Sequence, residues 1–345
     1  MRKDYLLYIY SSKRVNLKKS GKTYTTVPKE YSHLFLGQKL LKDLTSCYDT
    51  SLTSDIHIDP PSFLLGNTAP DLFFYDFPAF RFRVLAKLLH RGRGESLLKI
   101  IVSLIEKSKN LDTNSKLYSF CLGCLGHLAA DMIWHPLVLK CCNACPKSPK
   151  APQCPESASC HFRIESYLDI LVAKYFGHEM KKRDFPKSVA LFDPATRKLL
   201  GIFCREINST SGCVLKCDPA STYRCLVTQV TFLTFFQIKP LYWVTLGVDL
   251  LTLRKFDQYQ ALFYPPDGLV NKSTLAKLSP GIKMLLSPDG KLLENHVELT
   301  SDLAKNFITI AMKQKSGSWN AKKAYTELLK LTLSSGVDGH LDFVF

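Results

Sequence analysis

Residues 126–136 read Gly126-His127-Leu128-Ala129-Ala130-Asp131-Met132-Ile133-Trp134-His135-Pro136. Apolar residues recur at three- and four-residue spacing through Lys116–Trp134, so the stretch reads as a helix. Positions i, i+4 and i+8 of an α-helix drift by only about 40° per step, which puts His127, Asp131 and His135 on one face. Two imidazoles flanking a carboxylate suit a borderline metal such as Zn²⁺. Three ionisable groups on an otherwise apolar helix are costly to bury without a metal or a partner. Ala129 and Ala130 are small enough to let neighbouring helices approach. Pro136, which lacks an amide hydrogen, predicts a helix end just past the last of the three.

A second helix repeats the theme. His161 and Glu165 are again four apart, with Asp169 one turn further. Laid antiparallel to the first helix, the pair would complete the coordination of a second ion. Taken alone it also reads as a surface i,i+4 hydrogen bond worth about 0.2–0.5 kcal/mol. Three further residues belong with these. Leu65-Gly66-Asn67-Thr68-Ala69-Pro70-Asp71 reads as a turn that carries Asp71 on a rigid loop, or as a helix N-cap aspartate. His90 ends a leucine-rich helix, where a histidine also interacts with the helix dipole. His33 opens the first helix, in Tyr31-Ser32-His33, where a capping or surface histidine is the alternative.

The rest of the chain is patterned for helix as well. Segments with 3–4 spacing are His33–Leu44, Ala79–His90, Ser96–Ile105, Phe162–Phe176, Ala195–Ile207, Ser221–Phe236, Leu241–Leu253, Leu299–Lys313 and Ser318–Leu333. Asp59-Pro60-Pro61, Gly66-Asn67 and the charged break Lys181–Asp184 punctuate them. There is no sustained strand-type alternation and no internal repeat. The expectation is an all-α protein, a compact multi-helix bundle with a metal cluster in a central pocket. A basic extension (1–30) would precede one helical domain (31–315), followed by a C-terminal helix and a loose tail (316–345).

Composition bounds the partners. With 345 residues, 46% of them hydrophobic and 22% charged, the chain is a globular protein and not a disordered one. The longest apolar run, Cys225–Ile238, stops at Lys239-Pro240 and suits a core helix better than a membrane span. The N-terminus MRKDYLLYIYSSKR lacks the apolar core of a secretory signal, so the expectation is a cytoplasmic protein. A formal net charge of +16 favours anionic partners: a phospholipid surface, nucleic acid or a phosphorylated small molecule. Lysine and arginine cluster in the first 30 residues and between Arg81 and Arg93, patterns that a solvated basic surface also produces. Cys121-x2-Cys124 and Cys142-x2-Cys145 have zinc-ligand spacing but lack a second pair in frame. Cys141, Cys142, Cys145, Cys154 and Cys160 flank a Pro/Lys/Ser-rich loop that is open to disulfides, a structural metal or plain thiols.

The order His33, Asp71, His90, then His127-x3-Asp131-x3-His135, then His161-x3-Glu165-x3-Asp169 resembles the zinc-dependent phospholipase C family. More distantly it resembles the single-strand-specific zinc nucleases of the same fold. The likeness covers residues 31–178 and extends loosely to about residue 315, through Leu286-Ser287-Pro288-Asp289-Gly290.

The resemblance implies that Asp71, His90, His127 and Asp131 hold one zinc and that His135, His161 and Glu165 hold a second. His33, with Asp131 bridging, would hold part of a third. Secreted members complete that third site with the amine and carbonyl of a mature N-terminal tryptophan. Here other residues precede His33, so the expectation is two zinc ions, and three if the chain is cleaved near Tyr31. Two close zinc ions would activate a water and neutralise phosphoryl charge. Asp71 would orient or deprotonate that water, Asp169 would orient His161, and Arg81, Arg83, Arg91 and Arg93 would attract the phosphodiester. The substrate is expected to be a phospholipid or other phosphodiester. The competing readings are a nuclease, marked by bases stacking on Phe73, Phe74, Tyr75 or Phe80, and a non-catalytic helical module that keeps metal for folding.

Overall fold

A computed structural model describes residues 30–47, 57–109, 114–143, 155–177, 184–210, 215–253, 255–266 and 291–334. Regular structure among these residues is entirely helical: α1 (Tyr31–Cys47), α2 (Pro60–Gly66), a 3₁₀ turn (Ala69–Tyr75), α3 (Arg83–Ser108), α4 (Asn114–Asn143) and α5 (Pro155–Tyr175). Then come α6 (Asp184–Ser188), α7 (Pro194–Thr210), α8 (Pro219–Phe236), α9 (Lys239–Leu251), α10 (Asp257–Gln260), α11 (Lys291–Lys315) and α12 (Ala321–Ser334). The all-α expectation holds. The N-terminal extension up to Lys29, Cys145, Cys154, most of the Pro/Lys/Ser-rich loop, the 286–290 motif and the tail after Ser334 lie outside the described residues.

Helix α4 is the axis, in contact with α1, α2, α3, α5, α7 and α11. Its segment Ser115–Cys141 is long and apolar enough to cross a membrane by length and composition, and so exceeds Cys225–Ile238 as a candidate. Within the fold, 94% of its apolar window is buried, as expected of a helix that is apolar all round and forms the core of a bundle. Phe120, Leu125 and Met132 are fully enclosed, each contributing about 1.5–3 kcal/mol of burial.

Several expected boundaries are corrected. Pro136 does not end α4, which runs on to Asn143. Proline forfeits one backbone hydrogen bond, but the buried Leu137, Val138 and Cys141 hold the next turn against the core. The two helices read from Ala79–His90 and Ser96–Ile105 fall in one element, α3, with Gly94 at a left-handed φ of 76° between them, so His90 sits inside a helix and not at its end. Glycine adopts that conformation without steric cost, and burial of Leu85, Leu89, Leu97 and Leu98 holds both halves of α3 against the core. Asp59-Pro60-Pro61 starts a helix: Asp59 Oδ2 accepts from Ser62 N at 3.0 Å, with Pro60 in the first turn. Asp71 therefore lies in a 3₁₀ turn directly after α2, not on an open loop.

What brings α2 against α4 is glycine. A Cβ at Gly66 would lie 2.0 Å from the Phe120 carbonyl oxygen, and one at Gly123 would lie 1.9 Å from that of Phe63. Gly123→Ala gains helix propensity, yet it should destabilise the protein by about 3 kcal/mol through overpacking. Gly247→Ala, with nothing within 4 Å of the added carbon, should stabilise by about 0.5–1 kcal/mol. Urea unfolding of the two variants tests the contact. If Gly123→Ala is also stabilised, glycine is not what sets the α2–α4 spacing.

Candidate metal centre

Five helical elements deliver side chains to one spot beside α4. Asp131 is at its middle. Its Oδ2 lies 3.2 Å from His127 Nε2 and 3.3 Å from His90 Nε2, while its Oδ1 lies 3.4 Å from both His135 Nε2 and His33 Nε2. Asp71, on the 3₁₀ turn, approaches from the other side, with Oδ1 3.0 Å from His90 Nε2 and Oδ2 3.9 Å from both His33 and His127 Nε2. On α5, Glu165 Oε1 is 2.9 Å from His161 Nε2, and the ligating atoms of His135, His161 and Glu165 all lie within 4.8 Å of one another. The same holds for His33, Asp71 and His127, and for His90, His127 and Asp131. The reading of His161/Glu165 as a surface pair is thus replaced by a half-buried pair facing His135, with ring centroids 5.9 Å apart.

Backbone carbonyls orient the rings. His127 Nδ1 faces the Asn67 carbonyl at 3.1 Å, and His90 Nδ1 faces the Ala86 carbonyl at 2.7 Å. A carbonyl only accepts, so each Nδ1 carries the hydrogen, and a ring that gives up any proton on Nε2 presents its lone pair there. Those two Nε2 atoms stand 3.1 Å apart. Two lone pairs at that distance repel unless a cation or a proton lies between them. Glu165 Oε2 is buried without a hydrogen-bond partner among the described residues. This donor set fits a divalent cation, and nitrogen with carboxylate oxygen is the mixture zinc takes.

The electrostatics point the same way. Burial alone would raise the Asp131 carboxyl, but the charges of His127 and His135 overcome this and hold it well below the usual range. Burial also opposes ionisation of Asp71, and His127 and His90 again reverse the sign. His90 is pushed down by burial, then raised to about 9 by its hydrogen bond to Asp71 and by the charges of Asp71 and Asp131. His33 and His161 follow the same pattern, raised against burial by Asp131 and Glu165 respectively.

Some roles fall elsewhere than the sequence suggests. Asp169 does not orient His161: eight residues separate them on one helix, about 12 Å along the axis. Instead Asp169 Oδ1 accepts from Ser32 N at 2.7 Å and Ser32 Oγ at 2.6 Å, and its Oδ2 accepts from Tyr264 Oη at 2.6 Å. It thereby caps the start of α1 and fixes His33 next door. Arg81 stacks on Phe82 and Arg83 on Phe80; neither lines the cavity bounded by His33, Asp131, Trp134, His135 and Glu165. Arg91 is exposed and does not line it either, and the side chain of Arg93 is outside the described set.

Among the described residues no cysteine joins the candidate metal groups. Cys121 and Cys124 are buried in α4 as thiols, raised by burial.

Two residues escaped the sequence reading. Asn67 donates through Nδ2 to the His33 carbonyl while its own carbonyl meets His127, so one asparagine positions two histidines. The Gly66-Asn67 pair had marked a turn only. Glu30, last residue of the expected extension, is fully buried beside Asp71. Burial first, then the Asp71 charge, holds its carboxyl well above the ordinary range. Its place directly before Tyr31-Ser32-His33 is the one signal that could have drawn attention to it.

The family model described as zinc-dependent phospholipase C matches residues 32–209, which contain all eight converging side chains. No curated protein and no solved structure matches the chain.

The raised histidines set a pH dependence. In the metal-free protein His90 keeps its proton up to about pH 9, above its ordinary 6.5. Its contribution to metal-free stability is therefore full below pH 6.5 and lost as pH rises through about 9. Zinc needs the neutral ring, so binding must displace that proton. Calorimetry at pH 7 in buffers of different ionisation enthalpy should register release of at least one proton per protein. Zinc affinity should rise by about tenfold per pH unit per proton between pH 7 and 9. Zinc uptake without proton release would remove His90 from the ligand set.

Proposed function

Since the chain belongs to the zinc-dependent phospholipase C family, and is at that level a zinc-dependent hydrolase, we propose that it cleaves the phosphodiester of a phospholipid headgroup. The observation that carries this is the pair of His90 and His127 Nε2 atoms 3.1 Å apart, flanked by Asp71 and Asp131. In this reading Asp71, His90, His127 and Asp131 hold one ion, and His135, His161 and Glu165 hold another. Asp131 is shared, because its two carboxylate oxygens face different histidine pairs. His33 lies against both Asp71 and Asp131 and would belong to a third site. Bound zinc supplies Lewis acidity, lowering the pKa of water and offsetting charge on phosphoryl oxygens.

The chain's own residues do the rest. Asp71, held ionised by His127 and His90, is the group available to orient the attacking water and take its proton. Asn67 and the Ala86 carbonyl keep the two histidines in the tautomer that leaves Nε2 free. Asp169 and Ser32 hold the start of α1 in register with the cavity.

Aromatic burial favours lipid over nucleic acid. Of the four side chains expected to stack on bases, Phe73, Phe74 and Tyr75 are enclosed in the core, and the partly buried Phe80 packs against Phe77 and Arg83. A metal-keeping structural module would not need a cavity open beside the ligands, as this one is.

Asp131→Asn separates these readings, since it keeps shape but removes the anion between two dications. The variant should retain its helices, lose at least one zinc by mass spectrometry, and lose hydrolysis of phospholipid by several orders of magnitude, about 4 kcal/mol or more in barrier. Wild type that holds zinc yet cleaves neither phospholipid nor a chromogenic phosphodiester would favour the structural module. Cleavage of single-stranded nucleic acid alone would favour the nuclease.

A further inference from the structure

Helix α9 is built inside out. Its two buried side chains are Tyr242 and the acidic Asp249. Trp243, Val244, Val248 and Leu251 share the opposite face and are exposed, Leu251 at 86%. The apolar surface continues past the helix end through Leu253, also 85% exposed, and Phe256. Single exposed apolar residues are ordinary, but a contiguous run that includes tryptophan and two almost bare leucines marks a binding face. Asp249 is not idle inside: its Oδ1 accepts from Phe256 N at 3.2 Å, fixing the turn that presents Leu253 and Phe256 outward.

This projection is fastened to the candidate metal centre. On α5, Arg163 lies between His161 and Glu165 and donates to Asp257 Oδ1 at 2.5 Å and Gln260 Oε1 at 3.2 Å, both on α10. Ser166 Oγ donates to the Ala261 carbonyl at 3.0 Å. The helix that supplies two of the converging side chains thus also anchors the exposed apolar segment.

The chemistry of the patch selects its partner. Tryptophan with leucine and phenylalanine is the mixture that sits at the boundary between headgroups and acyl chains. Exposed Lys239 and Lys255 stand at its two ends, and the chain carries a formal charge of +16, so an anionic surface is preferred. A second copy of the chain would instead bring these lysines towards their own kind.

We propose that α9 and the turn after it form a membrane-docking element, inserting Trp243, Leu251, Leu253 and Phe256 into the headgroup boundary of an anionic phospholipid bilayer. The rationale rests on the phospholipid substrate proposed above, and docking is measured without turnover.

The test is co-sedimentation of the zinc-loaded full chain with vesicles of phosphatidylcholine alone and with about one part in three phosphatidylserine. Wild type should partition onto the anionic vesicles at least about tenfold better than onto the neutral ones. Leu251→Ser/Leu253→Ser should lower that partition by about tenfold or more, because two inserted side chains are lost at positions that the fold does not bury. The double variant should keep wild-type thermal stability and wild-type rates on a soluble chromogenic phosphodiester. Failure of both proteins on the soluble diester would sink the hydrolase reading and leave vesicle binding to stand by itself. Absent vesicle binding, or binding indifferent to the double substitution, overturns the docking proposal. So does a dimer that the substitution dissociates in the absence of any vesicle binding.

Discussion

The carboxylate of Asp131 is buried, and a buried charge must be neutralised where it stands. Much of this molecule's arrangement follows from that requirement. Each oxygen faces a different pair of imidazoles, His90 and His127 on one side, His33 and His135 on the other. These come from α1, α3 and α4, so α1 and α3 can dock on α4 only in the register that brings their histidines to Asp131. Asp71 adds a second anion from the 3₁₀ turn. The result is a site with more lone pairs than hydrogen atoms to fill them, which is the electrostatic condition for holding cations.

Apolar packing makes that register affordable. Helix α4 is enclosed on nearly all sides, and its backbone meets α2 at Gly66 and Gly123, where no side chain intervenes. The close approach sets Asn67 beside α4, and Asn67 in turn orients His127 and meets the carbonyl of His33. Core geometry and site geometry are therefore one problem: a shift of α2 by the width of a methyl group would move the acceptor that fixes a tautomer.

The periphery is organised around the same centre. Asp169 and Tyr264 lock the start of α1, and Arg163 ties α5 to α10, so the segment from α8 to α10 is held against the helix bearing His161 and Glu165. The family model matches residues 32–209, and α8 to α10 follow that stretch in the chain. There the usual rule is inverted, with Asp249 inside and leucines outside.

Local regularity was legible in the sequence. Spacing of three and four announced the helices, and His127, Asp131 and His135 had to share a face because helix geometry leaves no alternative. The i,i+4 relation of His161 and Glu165 followed in the same way, and likeness to a known family supplied the rest of the candidate set. Three-dimensional packing decided what spacing cannot carry. It joined α3 across its glycines, ran α4 through Pro136, put Asp71 in a 3₁₀ turn, and turned Asp169 to Ser32 and Tyr264. Glu30 and Asn67 entered the site unannounced, since nothing in their local sequence distinguishes a buried carboxylate or amide from a solvated one. The reason is general to this chain. Periodicity reports which residues share a face of one element, whereas burial and pairing depend on which faces of different elements meet.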